Sequence, residues 1–342
     1  MTRRGSTPSL LGALAVPAFL VLPGFLLLPG AVPVASAQEV LPLITEAEYE
    51  RWQSELSNWG RWGPDDELGA LNLITPEKRQ AAAALVREGI TVSLATTVQT
   101  EESVDNTCPV QWEMVSASST GATDRVAYPC IHGQGSTHLD GFAHRFFDGR
   151  MWNGYPVSDL VTMEEGALKN SVLTMKGGIV TRGVLYDIPR LKGVSYLEPG
   201  THITVEDLEA WEARTGVRVG PGDAMLLRWG RWARQEAIGR FDTWEAAAGL
   251  DNSVIPWLKE RDVAVIGWES PNYTSRPPGD LPRLALHDFA LTMLGIPLLD
   301  RADFEELSEV AAAHGRWEFM LMIAPLPIPN GTGSPVNPIA IF

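Results

Sequence analysis

His132-Gly133-Gln134-Gly135-Ser136-Thr137-His138-Leu139-Asp140-Gly141-Phe142-Ala143-His144 holds three of the chain's six histidines and one aspartate. His132, His138 and Asp140 share sequence parity. Alternate side chains of an extended strand project from one face, so a strand here would make the three converge. Two imidazoles and a carboxylate on one face suit a divalent ion such as zinc or manganese. His144, just beyond, suits a proton shuttle beside such an ion. The competing reading of any single histidine is a hydrogen-bonded structural residue, and His-x-Asp alone can be a charge-assisted hydrogen bond. Gly133, Gly135 and Gly141 favour the metal reading, because they admit close backbone approach and add no bulk.

The stretch resembles the His-x-Gly-Thr-His-x-Asp-x-x-x-His pattern of the cyclase family of metal-dependent hydrolases, which includes bacterial kynurenine formamidase and isatin hydrolase. His138, Asp140 and His144 match it, while Gln134 stands at its first histidine and Ser136 at its glycine. The resemblance implies that His138 and Asp140 ligate the metal and that His144 is the catalytic acid/base. For the third ligand two residues remain open, Gln134 through its amide oxygen and His132 from two residues earlier. Asn58–Asn72, Asp148–Gly154 and the C-terminal Ala324–Ile328 and Gly331–Pro338 are similar to a larger branch of the family, and their order along the chain strengthens the match. The family also implies second-metal ligands, a histidine and then a glutamate. His287 fits the first, and Asp300 stands where the glutamate is expected, one methylene shorter. One or two ions are therefore expected. The competing readings are a buried helix histidine for His287 and a turn or capping residue for Asp300.

The first 37 residues read as a secretory signal. Arg3 and Arg4 precede an apolar run from Leu10 to Leu28, and Ala35-Ser36-Ala37 forms a small-residue cleavage site before Gln38. Pro17, Pro23 and Pro29 argue against a packed membrane helix. The expectation is a secreted or periplasmic protein, cleaved after Ala37, with no stable membrane insertion. Residues 38–342 read as a single domain. The full chain has 342 residues and a formal net charge of −15, a balance that disfavours nucleic acid and anionic membrane as partners. Cys108 and Cys130 are permitted a disulfide outside the cytoplasm, and free buried thiols are the alternative.

Helix signals include Thr45 with Glu48, Thr75-Pro76-Glu77, Thr204 with Asp207, Asn252, and a mostly buried run over Leu284–Leu294. Short apolar runs read as strands covered on both faces: 91–94, 178–180, 183–186, 224–227, 263–266 and 319–323. Residues 126–128 also read as a strand. The fold class is α/β. The resemblance adds a swivelling β/β/α domain with a mixed, barrel-like central sheet flanked by helices, and a homodimer or higher oligomer. Trp59 and Trp62, in a Gly-rich loop, are candidate substrate-pocket residues for a flat aromatic molecule. His202 and His314, with no acidic partner at ligand spacing, read as surface or structural.

No Gly-x-Ser-x-Gly elbow, phosphate loop or dinucleotide fingerprint competes. The expected function is metal-dependent hydrolysis of an amide, lactam or ester in a small, aromatic molecule. The alternatives are an exported binder of metal or small ligand without turnover, and a metal-dependent cyclase or lyase.

Overall fold

The computed structural model describes residues 44–270, 281 and 284–342, so the secretory segment read over residues 1–37 lies outside the described residues. Nine strands form one mixed sheet: Thr91–Ser93 (β1), His138–Asp140 (β2), Ile179–Asp187 (β3), Ala224–Arg228 (β4), Val265–Trp268 (β5), Leu298–Asp300 (β6), Glu318–Ile323 (β7), Gly333–Pro335 (β8) and Ile339–Ile341 (β9). Their spatial order is β1-β9-β7-β3-β4-β5-β6-β2-β8, and the sheet curls into a half-barrel flanked by helices. β3 to β6 run parallel, and every other pairing is antiparallel. The α/β reading with a mixed, barrel-like sheet is what the structure shows.

The parallel strands are apolar because both faces are covered. All residues of β4 and β5 are buried. The helix Val205–Thr215 shows how a flanking element is fixed. Thr204 and Asp207 close a capping box at its start, and Gly216 stops it in the left-handed conformation. Its buried Trp211 donates its indole N–H to the Leu185 carbonyl of β3 at 2.8 Å.

Several expectations shift. The two runs 178–180 and 183–186 are one continuous strand, β3. The run at 263–266 becomes β5 two residues later. The helix expected over Leu284–Leu294 is an α-helix, Ala285–Phe289, that widens into a π-helical turn over Ala290–Leu294. Such a turn is uncommon and recurs at functional sites. β2 spans three residues only, so His132 lies in the preceding turn and not on an extended strand with His138 and Asp140. The strand read at 126–128 belongs to a hairpin, Gln111–Ser118 with Gly121–Ala127, exposed along nearly its whole length. Its apolar residues Trp112, Met114, Val115 and Val126 are all exposed, so neither face is buried. Among the described residues no helix is long and apolar enough to cross a membrane.

Cys108 and Cys130 are joined in a disulfide across the foot of this hairpin, spanning 22 residues. Two-stranded hairpins are marginal in water, so the covalent closure matters here. The Cys108→Ser/Cys130→Ser variant is expected to lose about 3 kcal/mol of unfolding free energy. Urea denaturation beside the oxidised wild type measures the loss. A change well under 1 kcal/mol would show that the hairpin closes without the bond.

Candidate metal centre

β2 sits between β6 and β8, and register decides what faces what. His138 lies directly opposite Asp300 on β6 and Pro335 on β8, while Asp140 lies opposite Leu298 and Gly333. Opposed residues of antiparallel strands share a face, so His138, Asp140 and Asp300 project together. His287 enters from the helix Ala285–Phe289, and His132 and His144 enter from the turns on either side of β2.

Asp140 is the centre. Its Oδ1 lies 2.5 Å from His132 Nδ1 and 3.5 Å from His138 Nε2, and its Oδ2 lies 3.2 Å from His287 Nε2 and 3.8 Å from His144 Nε2. Asp300 Oδ2 is 3.9 Å from His287 Nε2. Ligand atoms of His132, His138 and Asp140 lie within 4.8 Å of one another, as do those of Asp140, His144 and His287. Either group could hold a metal ion. The structure thus gathers six of the sequence-predicted residues: His132, His138, Asp140, His144, His287 and Asp300. Asp300, which also read as a turn or cap, is the last residue of a buried strand.

Gln134 is not among them. Its Oε1 accepts from Arg301 Nη1 at 2.5 Å. Of the two residues left open for the third ligand, His132 is the one in the cluster, because the turn folds it back over β8. Trp59 and Trp62 are also elsewhere, packed on the core. The Trp59 indole N–H donates to the Thr292 carbonyl at 2.6 Å, and the Trp62 ring lies 6.2 Å from that of the buried Trp152. His202 pairs with Asp251 at 2.9 Å and His314 stacks on Phe342, so both are structural.

Each ring is held in orientation. His138 Nδ1 sits 3.1 Å from the Ser136 carbonyl, which makes Nδ1 the donor and leaves Nε2 for the cluster. His132 Nε2 meets Thr332 Oγ1 at 2.8 Å, and the His132 ring stacks on His144 with centroids 3.5 Å apart. The Trp268 indole N–H donates to Asp300 Oδ1, and its ring stacks on His287. Thr332 and Trp268 complete the site. Neither is marked by a metal-ligand pattern, and Thr332 reaches His132 from 200 residues away.

Burial and the charge of Asp140 set the electrostatics of the cluster. Burial works to raise the Asp140 pKa, but His144 and His132 outweigh it and hold the carboxyl well below the usual range. Burial, and then the charge of Asp140, push Asp300 up to about 7. Burial pulls His138 down, and pulls His144 down to about 3. Burial also works to lower His287, but the carboxylates of Asp140 and Asp288 prevail and hold it up at about 9. Asp140 Oδ2 is buried with no hydrogen-bond partner. A buried carboxylate oxygen normally has a partner, and this one faces imidazole Nε2 atoms. Nitrogen and carboxylate donors of this kind could hold a divalent metal ion.

Gly333 makes room for His132. A Cβ there would lie 2.6 Å from His132 Cε1 and 2.7 Å from the Leu139 carbonyl oxygen. Gly333→Ala is expected to displace the ring, so that a divalent ion held by the cluster binds at least about tenfold more weakly, as on loss of an orienting contact. A zinc titration with a chelator competitor measures this, and unchanged affinity would place His132 outside the ligand set.

The family model named Cyclase matches residues 90–274, and the chain belongs to this family. It is 31% identical to a protein solved as a novel cyclase, covering 85% of this chain and 99% of that one with a TM-score of 0.74. The isatin hydrolase A of Labrenzia aggregata, bound to benzyl benzoate, shares the fold at 20% identity, with 76% and 94% of the two chains covered and a TM-score of 0.53. The isatin hydrolase A of Ralstonia solanacearum shares it at 22% identity, with 78% and 97% covered and a TM-score of 0.51. No curated protein matches the chain in sequence.

Proposed function

We propose that this protein is a metal-dependent hydrolase that opens an amide, lactam or ester bond in a small aromatic molecule. The observation that carries this reading is the buried Asp140 carboxylate amid four imidazoles, with Oδ1 held by His132 and Oδ2 left without a hydrogen-bond partner. In this reading His132, His138, Asp140, His287 and Asp300 hold one or two divalent ions, zinc or manganese. A bound ion supplies two effects, a lowered pKa for water and polarisation of a substrate carbonyl. His144 is the acid/base. Burial lowers its pKa and keeps the imidazole neutral, and its Nε2 faces Asp140 at 3.8 Å. Its side chain is 20% exposed, so it reaches both the cluster and the substrate side. It would return the proton to the leaving nitrogen or oxygen.

The substrate class rests on the isatin hydrolases of like fold; a cavity of about 530 Å³ lies next to the cluster, reached through Ser136 and Thr137 of the loop before β2, and none of the six cluster residues lines it. Hydroxyls of Thr96, Tyr128 and Ser136 line it with apolar Val98 and Leu326 and no charged group. Its size and lining suit a small uncharged molecule. The basic, apolar and small-residue order of residues 1–37 supports action outside the cytoplasm.

The test is metal content by plasma mass spectrometry on wild type and His138→Ala, with assays on isatin and N-formylkynurenine. Near-stoichiometric metal that disappears with His138, and hydrolysis lost in step, is expected. Equally folded, metal-free wild type that stays inactive after reconstitution would sink the reading.

A further inference from the structure

His144 and His287 come from opposite sides of the cluster, and the residue after each one meets the other. Arg145 Nε donates to Asp288 Oδ1 at 2.6 Å, and Arg145 Nη2 donates to Asp288 Oδ2 at 3.0 Å. This is a bidentate fork, the geometry that fixes direction as well as distance. Asp288 Oδ1 also faces His287 Nδ1 at 3.4 Å. The opposite nitrogen of that ring, Nε2, points to Asp140 and Asp300. The Asp288 main chain is pinned as well: its N–H donates to the Leu284 carbonyl at 2.8 Å, and its carbonyl accepts from Thr292 Oγ1 at 2.6 Å, within the stretch that widens into the π-turn.

From this we infer that Arg145 and Asp288 form a strap whose work is to position the cluster, an inference that rests on the metal reading above. Asp288 Oδ1 accepts the Nδ1–H of His287, so that Nε2 is the lone-pair nitrogen presented to the ion. Arg145 locks the carboxylate in that orientation and ties the His144 turn to the His287 helix. Both are positioning residues. The pair is half-exposed, with side chains 34% and 21% accessible. Ion pairs so placed add little to stability, so its expected mark is on metal binding and not on folding. The other rings are oriented independently, His138 by the Ser136 carbonyl and His132 by Thr332. The strap thus has one ring to control directly, and loss of it leaves His132 and His138 in place.

The experiment titrates Co²⁺ alone into the metal-free full chain and reads the visible d–d bands and the Kd. Wild type is set beside Asp288→Asn, Arg145→Gln, the double variant and His138→Ala. Loss of a carboxylate that orients a ligating histidine typically weakens metal binding 10–100-fold. Asp288→Asn is expected to show a weakening of that order and shifted bands, at a melting temperature within a few degrees of wild type. Arg145→Gln is expected to weaken binding less. The double variant is expected to match Asp288→Asn, because Arg145 acts through Asp288. Wild-type Kd and bands in Asp288→Asn would overturn the strap, and so would single effects that multiply in the double. If Asp288→Asn does not fold, Arg145→Gln decides: an unchanged Kd overturns the proposal. A wild type that takes up no Co²⁺ brings down the metal reading and the strap together. Uptake lost in His138→Ala but untouched in Asp288→Asn brings down the strap alone.

Discussion

Asp140→Asn is expected to abolish metal uptake and hydrolysis together while the protein stays folded. Asparagine keeps the volume but removes the charge that every imidazole of the cluster faces. It also turns one oxygen into an NH2 donor, aimed at nitrogens that would themselves ligate. Removing a group that merely orients a ligand costs about 10–100-fold in metal affinity, so loss of the shared ligand is expected to exceed 100-fold. Calorimetric titration with Zn²⁺ measures this, and isatin turnover follows it. The metal-free protein gives an independent readout. His287 is held up at about 9 despite burial by Asp140 and Asp288. A raised histidine pKa contributes stability that is full below its unfolded value near 6.5 and is lost as pH rises through about 9. In Asp140→Asn that alkaline slope is expected to flatten. An Asn variant that binds zinc as wild type does would remove Asp140 from the centre of the site.

How much of this was legible in the chain follows from where the information lies. His138 and Asp140 are two apart on one strand, so a local period of two was enough to pair them. His132 was assigned to the right cluster for the wrong reason. The chain turns before β2, and the ring returns through a gap that Gly333 leaves open. The departure at Gln134 looked like a substituted ligand because sequence shows a missing histidine but not Arg301, which claims the amide. Trp59 and Trp62 looked like a pocket because a Gly-rich loop suggests exposure. In the fold the loop lies on the core, its indole and amide groups taken by Thr292 and Asn153. The short strands β6, β8 and β9, of three residues each, were too brief for any period to register. Their pairing is set by the sheet, and it is that pairing which brings Asp300 opposite His138.

The largest stability effect is expected at Asp105, outside the metal cluster but tied to it. Asp105 Oδ2 accepts from Arg231 Nη2 at 3.0 Å and from Arg301 Nη2 at 3.3 Å, and Oδ1 accepts from Arg240 Nη1 at 2.9 Å. The Arg231 and Arg301 side chains have no solvent exposure, and both guanidinium groups lie over Trp232, 4.0 and 5.3 Å from its ring centre. Asp105→Ala leaves two buried cations without their shared anion, which typically costs about 3–5 kcal/mol. Arg301 also follows Asp300 and holds Gln134, and its carbonyl accepts from Thr137 Oγ1 at 2.6 Å. The damage should therefore reach the loop between His132 and His138, and zinc affinity is expected to fall with stability. The pH dependence has a definite sign. Burial works to raise the Asp105 pKa, but Arg240, Ser103, Arg301 and Arg231 prevail and lower it. A lowered carboxyl contributes stability that is present above its unfolded value near 3.9 and is lost as pH falls through the folded one. The gap between wild type and Asp105→Asn should hold near neutrality and close below about pH 4. Urea unfolding of wild type, Asp105→Ala and Asp105→Asn across that range measures both effects. A cost under about 1 kcal/mol for the alanine variant would mean that the two guanidinium groups find another anion or reach water when Asp105 is gone.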